Sequence, residues 1–135
     1  RTTLYRQTLF AEFEMEAHIR REGLYRRLNE AYYAGAVVDE LQDLEWARIP
    51  HFYNAFYVYQ YATGFSAAVD IATRIRKSGD ASGYLRFLAT GGSDYPIEEL
   101  KLAGVDLSKP QAVEGALGVF TRSVAELDEL LQKMI

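Results

Sequence analysis

The chain has 135 residues, 49% of them hydrophobic and 25% charged, with a formal net charge of −4. That balance suits one soluble globular domain or a piece of one, excludes a disordered chain, and argues against a nucleic-acid surface, which carries a basic excess. The absence of cysteine excludes a disulfide framework and a thiolate metal site and favours a reducing compartment.

The elements read as almost entirely helical. Leu4, Thr8, Ala11, Met15 and His18 step at helical spacing from Thr3 to Arg21, with Phe10, Phe13 and Ala17 widening the apolar face. Arg20, Arg21, Arg26 and Arg27 cluster here, but Glu14, Glu16, Glu22 and Glu30 interleave them. Mixed signs cancel the field, so this is read as a solvated helix face. Gly23 permits a turn, and Leu24, Leu28, Ala31 and Tyr32 mark a shorter helix ending near Gly35. Residues 36 to 50 mix β-leaning Val37 and Val38 with a possible helical turn at Leu41 and Leu44, before Pro50 resets the backbone.

A long helix is predicted from about Tyr53 to Lys77, closed by Gly79 and rich in small residues around Gly64, Ser66, Ala67 and Ala68. Glycine in a helix interior costs about 1 kcal/mol against alanine, which predicts a packing or ligand reason for Gly64. Ser82 to Thr90 form the next helix, stopped by Gly91 and Gly92, and Pro96 to Ala103 another, stopped by Gly104. Glu98 and Glu99 suit its first turn, where the helix dipole favours negative charge. Ser108 and Gln111 have capping-box spacing ahead of a last helix running to about Lys133. Its predicted buried stripe is Val113, Leu117, Phe120, Val124, Leu127 and Leu131. No repeat or internal linker interrupts the chain, which reads as one helical unit over residues 1–135. No apolar run approaches the ~20 residues of a membrane span, and no signal peptide is visible, so no membrane partner is expected.

Most autonomous chemistry is missing. A catalytic zinc takes three protein ligands, yet His18 and His51 lie far apart and neither belongs to a His-Glu-x-x-His motif. Glu14 and His18, four apart, are read as a structural salt link or a plain surface contact rather than as ligands. No Gly-x-Ser-x-Gly elbow or phosphate loop is present, and Ser66 reads as a packing residue. The segment from Ile49 to Gly64 differs. It carries His51, Phe52, Tyr53, Phe56, Tyr57, Tyr59 and Tyr61, bulky rings with polar tips close behind a proline. On a helix, Tyr53, Tyr57, Gln60 and Gly64 would share one face, with His51 at its edge and Phe52, Phe56 and Tyr59 turned to the core. Such donors suit a wall that orients a peptide or stabilises an oxyanion. The rings would also serve as plain core, their hydroxyls satisfied locally, and the residues alone favour that reading while leaving the wall open.

Four blocks carry a resemblance: Arg6-Gln-Thr-Leu-Phe-Ala-Glu-Phe-Glu14, Leu44-Glu-Trp-Ala-Arg-Ile-Pro-His-Phe-Tyr53, Phe56-Tyr-Val-Tyr-Gln-Tyr-Ala-Thr-Gly64 and Gly91-Gly-Ser-Asp-Tyr-Pro96. In this order they resemble the C-terminal part of oligoendopeptidase F, a zinc peptidase related to thimet oligopeptidase. The resemblance implies an all-α fold, the multi-helix C-terminal portion of a larger zincin-like catalytic domain. It implies a cytoplasmic enzyme that cleaves internal bonds of short peptides, with Zn²⁺ held by upstream residues absent from this chain. His51 takes the place of the family's substrate-binding histidine and Tyr57 that of its first oxyanion-directed tyrosine. Tyr53, Tyr59 and Tyr61 are neighbours in substrate binding. Gly64 stands where the thimet-type pattern has a second tyrosine, so the source of the second hydroxyl is open. The chain starts at Arg1 without methionine, which agrees with a fragment, and the piece alone is expected to bind no catalytic zinc and to be inactive. Its partners would be a short peptide and the missing N-terminal part of the same enzyme. The alternative is a non-enzymatic helical interaction or structural domain with an aromatic core.

Overall fold

In the computed structural model the described residues are 2–19 and 23–134. Their regular elements are all helical, with no strand among them. A π-helical turn, Thr2–Arg6, leads into α1, Gln7–Ala17. Then come α2, Leu24–Tyr32, and two 3-10 helices, Leu41–Arg48 and Pro50–Tyr53. The remainder is α3, Tyr59–Ser78; α4, Ser82–Thr90; α5, Pro96–Leu102; and α6, Gln111–Gln132. Among the described residues no helix is long and apolar enough to cross a membrane. Arg20, Arg21 and Glu22, part of the charged cluster, lie outside the described residues.

The residues group into two compact units, 1–62 and 63–135, the division falling inside α3. In the first unit Leu9, Phe10, Phe13, Leu24, Tyr25, Leu28, Ile49 and Val58 form the core. Phe13 is its hub, with ring centroids 5.1 Å from Tyr25, 5.7 Å from Trp46 and 5.4 Å from Phe52. The first helix therefore buries a different stripe from the one expected. Leu4, Leu9, Phe10, Phe13 and Glu14 face inward, whereas Met15 is exposed. The π turn before Gln7 shifts the register of everything upstream of α1 relative to a continuous α-helix.

Polar links pin the same unit. Tyr32 donates its hydroxyl to Glu12 Oε2 at 2.6 Å, and burial together with that bond pushes its pKa up to about 12. Glu45 accepts from Tyr25 Oη, Arg6 Nη2 and Arg48 Nη2, each at 2.9 Å. Burial works against the Glu45 charge, but the hydrogen bonds from Tyr25 and Arg6 outweigh it and hold the pKa below the ordinary 4.5. A carboxylate depressed in the folded state contributes stability above its unfolded pKa and loses it as pH falls through the folded value. The first unit should therefore lose stability as pH drops below 4.5. Fluorescence of Trp46, the only tryptophan, would follow this, and Glu45→Gln should flatten that acid limb.

The second unit has its core at Ala67, Ile71, Val105 and Ala112, with Ile75, Tyr84 and Leu100 packed against it. Its helix stops follow the sequence. Gly91 closes α4 in the left-handed conformation, φ 59°, which costs glycine nothing. Glu99 in the first turn of α5 accepts the Asp94 N–H at 3.1 Å. Two expectations fail. Pro110, not Ser108, precedes α6, and no side chain caps it; the Ser108 hydroxyl donates to Asp106 Oδ1 at 2.6 Å instead. The predicted stripe of α6 is only partly covered: Val113, Leu117 and Phe120 are half-buried, Val124, Leu127 and Leu131 are about half exposed, and the buried positions are Ala112 and Ala116, outside that stripe.

Two glycines show how packing decides substitution. At Gly83 an added Cβ would lie 2.8 Å from the backbone oxygen of Leu102, whereas at Gly64 it would meet nothing within 4 Å. Gly64→Ala should raise the melting temperature, gaining about 0.5–1 kcal/mol from reduced unfolded-state freedom. Gly83→Ala should lower it, since overpacking against fixed backbone costs about 1–3 kcal/mol. Thermal melts of the two variants check both signs.

Candidate substrate-facing site

The aromatic segment is not one helix. Pro50 starts a 3-10 turn that ends at Tyr53, residues 54–58 form turns, and α3 begins only at Tyr59. The expected helix from Tyr53 thus starts six residues late, and the predicted face of Tyr53, Tyr57, Gln60 and Gly64 does not form. A left-handed residue marks the break. Phe56 is the one non-glycine with positive φ among the described residues, at 55°, a conformation costing a bulky side chain about 1–2 kcal/mol. The buried Glu14 carboxylate accepts the Phe56 N–H, and the Phe56 ring stacks on His18 at 5.0 Å. Two residues on, Val58 is fully buried and fixes the other side of Tyr57.

The turn brings His51, Tyr57 and Tyr61 together. The His51 ring stacks on Tyr57 at 5.8 Å with an interplanar angle of 14°. Tyr61, in the first turn of α3, meets both edge-on, at 5.8 Å from His51 and 5.4 Å from Tyr57. Tyr61 Oη donates to Tyr57 Oη at 3.1 Å and also lies 3.3 Å from His51 Nε2. A hydroxyl has one proton. With that proton directed to Tyr57, the contact to His51 is completed by a proton on Nε2, and the Tyr57 proton remains for a further acceptor. The bond to Tyr57, with burial adding, raises the Tyr61 pKa above the ordinary 10.0, so its proton stays in place at neutral pH. All three side chains are half-buried. Tyr57 and Phe52 pack on the core of the first unit, so the cluster is a core margin with polar tips.

The other candidates fall elsewhere. Tyr53 is 81% exposed and donates its hydroxyl to Ala47 O at 3.0 Å, outside the cluster. Tyr59 is half exposed at the start of α3, two residues from Tyr61 and so on a different side of the helix. Phe56 is also half exposed, and neither it nor Tyr59 enters the core as expected; Phe52 does, edge-on to Phe10 at 5.3 Å. Gly64 borders an apolar cavity of about 600 Å³ in the second unit, lined by Ala68, Ile71, Phe87 and Leu100 among others. Among the described residues no group of three His, Cys, Asp or Glu side chains could hold a metal ion, so these residues do not fit the zinc that the resemblance implies.

Reasoning from sequence missed Glu14. Its pairing with His18 runs through the backbone, His18 Nδ1 lying 2.7 Å from Glu14 O, which leaves the carboxylate for Phe56. The signal was present: a glutamate directly after Phe13 and four residues after Phe10, on the face that those rings bury.

The model of peptidase family M3 matches residues 1–119. The chain is 45% identical to the oligopeptidase PepF of Bacillus subtilis, over 99% of this chain and 22% of that protein. It is 41% identical to an oligoendopeptidase F homolog of Borreliella burgdorferi, over 97% of this chain and 25% of that protein. The crystal structure of oligoendopeptidase-F from Enterococcus faecium superimposes with a TM-score of 0.88 at 41% identity, covering 98% of this chain and 28% of that one. The chain thus spans about a quarter of the length of the curated relatives it matches.

Proposed function

Since the chain belongs to peptidase family M3, we propose that it supplies the substrate-facing His/Tyr wall of a cytoplasmic metallo-oligopeptidase acting on short peptides. The hydrogen-bonded cluster of His51, Tyr61 and Tyr57 carries this reading. The names of the relatives, oligopeptidase and oligoendopeptidase, support the substrate class.

In this reading the Tyr57 hydroxyl donates to the carbonyl oxygen of the scissile bond as negative charge builds there. Tyr61 donates to Tyr57 Oη and His51 to Tyr61, so each bond polarises the next. A donor held in place before the reaction stabilises charge without reorganising. Tyr61 thereby acts on the developing charge through Tyr57, its one proton being committed to that oxygen. Tyr53 and Tyr59 present exposed rings that suit contact with the peptide chain rather than with the reacting oxygen.

The Zn²⁺ of this reading would be held by residues outside the chain. The isolated 135-residue chain is then expected to bind no stoichiometric zinc and to leave a quenched fluorescent peptide uncut. Zinc-dependent turnover by the purified chain would sink the proposal that it is one part of a shared active site.

A further inference from the structure

We propose that Glu14 is a positioning residue that sets the Tyr57 hydroxyl by clamping the backbone of Phe56; this rests on the reading of Tyr57 just given. Glu14 lies in the middle of α1 with only 6% of its surface exposed. A carboxylate at such a depth is costly unless its oxygens are bonded. Its interaction across the fold is with the Phe56 N–H, 42 residues along the chain. That residue carries the unusual left-handed backbone and immediately precedes Tyr57.

Two further contacts make the clamp specific. Phe56 stacks on His18, whose Nδ1 is held at the Glu14 carbonyl, so one turn of α1 grips both the backbone and the side chain of Phe56. Val58, fully buried, pegs the other flank. Between these anchors Tyr57 has little freedom, and its ring lies parallel to His51. Without the carboxylate, Phe56 can return to an ordinary negative φ. Rotation there would redirect the next residue and pull Tyr57 away from Tyr61. Glu14 itself touches no substrate; it acts through Tyr57.

The test uses the full-length enzyme and a fluorogenic peptide, with Glu14→Leu, Glu14→Gln, Tyr57→Phe and the Glu14→Leu/Tyr57→Phe pair. Glu14→Leu should lower kcat about 10–100-fold, the scale on which a displacement of about 1 Å acts, with a smaller change in KM. Glu14→Gln keeps an acceptor oxygen and should stay within about threefold of wild type, since one uncharged acceptor still satisfies the N–H. In the Tyr57→Phe background, Glu14→Leu should cost less than about twofold, because the two changes disable one device. If Glu14→Leu fails to fold, Glu14→Asp, one methylene too short to reach, takes its place. An impaired Tyr57→Phe enzyme with an unimpaired Glu14→Leu enzyme overturns the clamp alone. Equal losses from Glu14→Leu in both backgrounds do the same. A fully active Tyr57→Phe enzyme overturns the reading of the site and the clamp together.

Discussion

Replacing Tyr57 by phenylalanine in the full-length enzyme is expected to lower kcat by about 10²–10³-fold, the effect of losing one pre-placed oxyanion donor. The substitution removes one oxygen and leaves the ring stacked on His51, so the fold should survive. Peptide affinity comes from many contacts and should change less, which would show as a fall in kcat with KM nearly unmoved. The bond from Tyr61 makes the prediction sharper. With Tyr57 Oη gone, Tyr61 loses its acceptor at 3.1 Å and can turn its proton to His51 Nε2 once the imidazole proton moves to Nδ1. Tyr61→Phe should accordingly cost less than Tyr57→Phe, because it removes only the polarising neighbour. Steady-state kinetics on a peptide with a fluorescent reporter decides the matter, and an unchanged kcat for Tyr57→Phe removes that hydroxyl from the mechanism.

Phe13→Ala should destabilise the first unit by about 3–5 kcal/mol, the usual cost of deleting a buried phenyl ring. Phe13 is 5% exposed and touches Tyr25, Trp46 and Phe52, so the resulting cavity has rigid rings on several sides and cannot collapse cheaply. Such a loss is a large part of the stability of a small domain, about 5–15 kcal/mol. Denaturant unfolding followed by Trp46 fluorescence reports on this unit directly, because the indole is itself one of the neighbours of Phe13. Loss of less than about 1 kcal/mol would mean that the ring is not the hub described here. The site should suffer as well, since Phe52 follows His51 immediately in the chain and is held against Phe10 and Phe13.

The core and the candidate site thus share residues, which explains why the aromatic segment could be read either as core or as wall. It is both. Phe52 and Val58 point inward, while His51, Tyr57 and Tyr61 keep polar tips at the margin. Alternation between the two roles within ten residues follows neither a helical nor a strand period, because the backbone passes through a 3-10 turn and a left-handed residue before α3 begins.

The sequence by itself determined the helical class, the stops at Gly79, Gly91 and Gly104, and the acidic first turn of α5. All of these are local: a left-handed glycine or a charge near a helix end acts within a few residues of its position. It also carried the ordered blocks that mark the family, which need no coordinates. Only the tertiary structure decided where α3 starts, which side of α1 is buried, and which tyrosines meet His51. Local spacing around Tyr57 is compatible with continuous helix, and at the break the Phe56 N–H is held by Glu14, a carboxylate contributed from 42 residues away. The same distinction governs α6. Its apolar spacing predicts which residues share a face, but whether Val124, Leu127 and Leu131 are covered depends on having another surface to pack against. Periodicity records the direction in which side chains point; burial is settled by what lies opposite them.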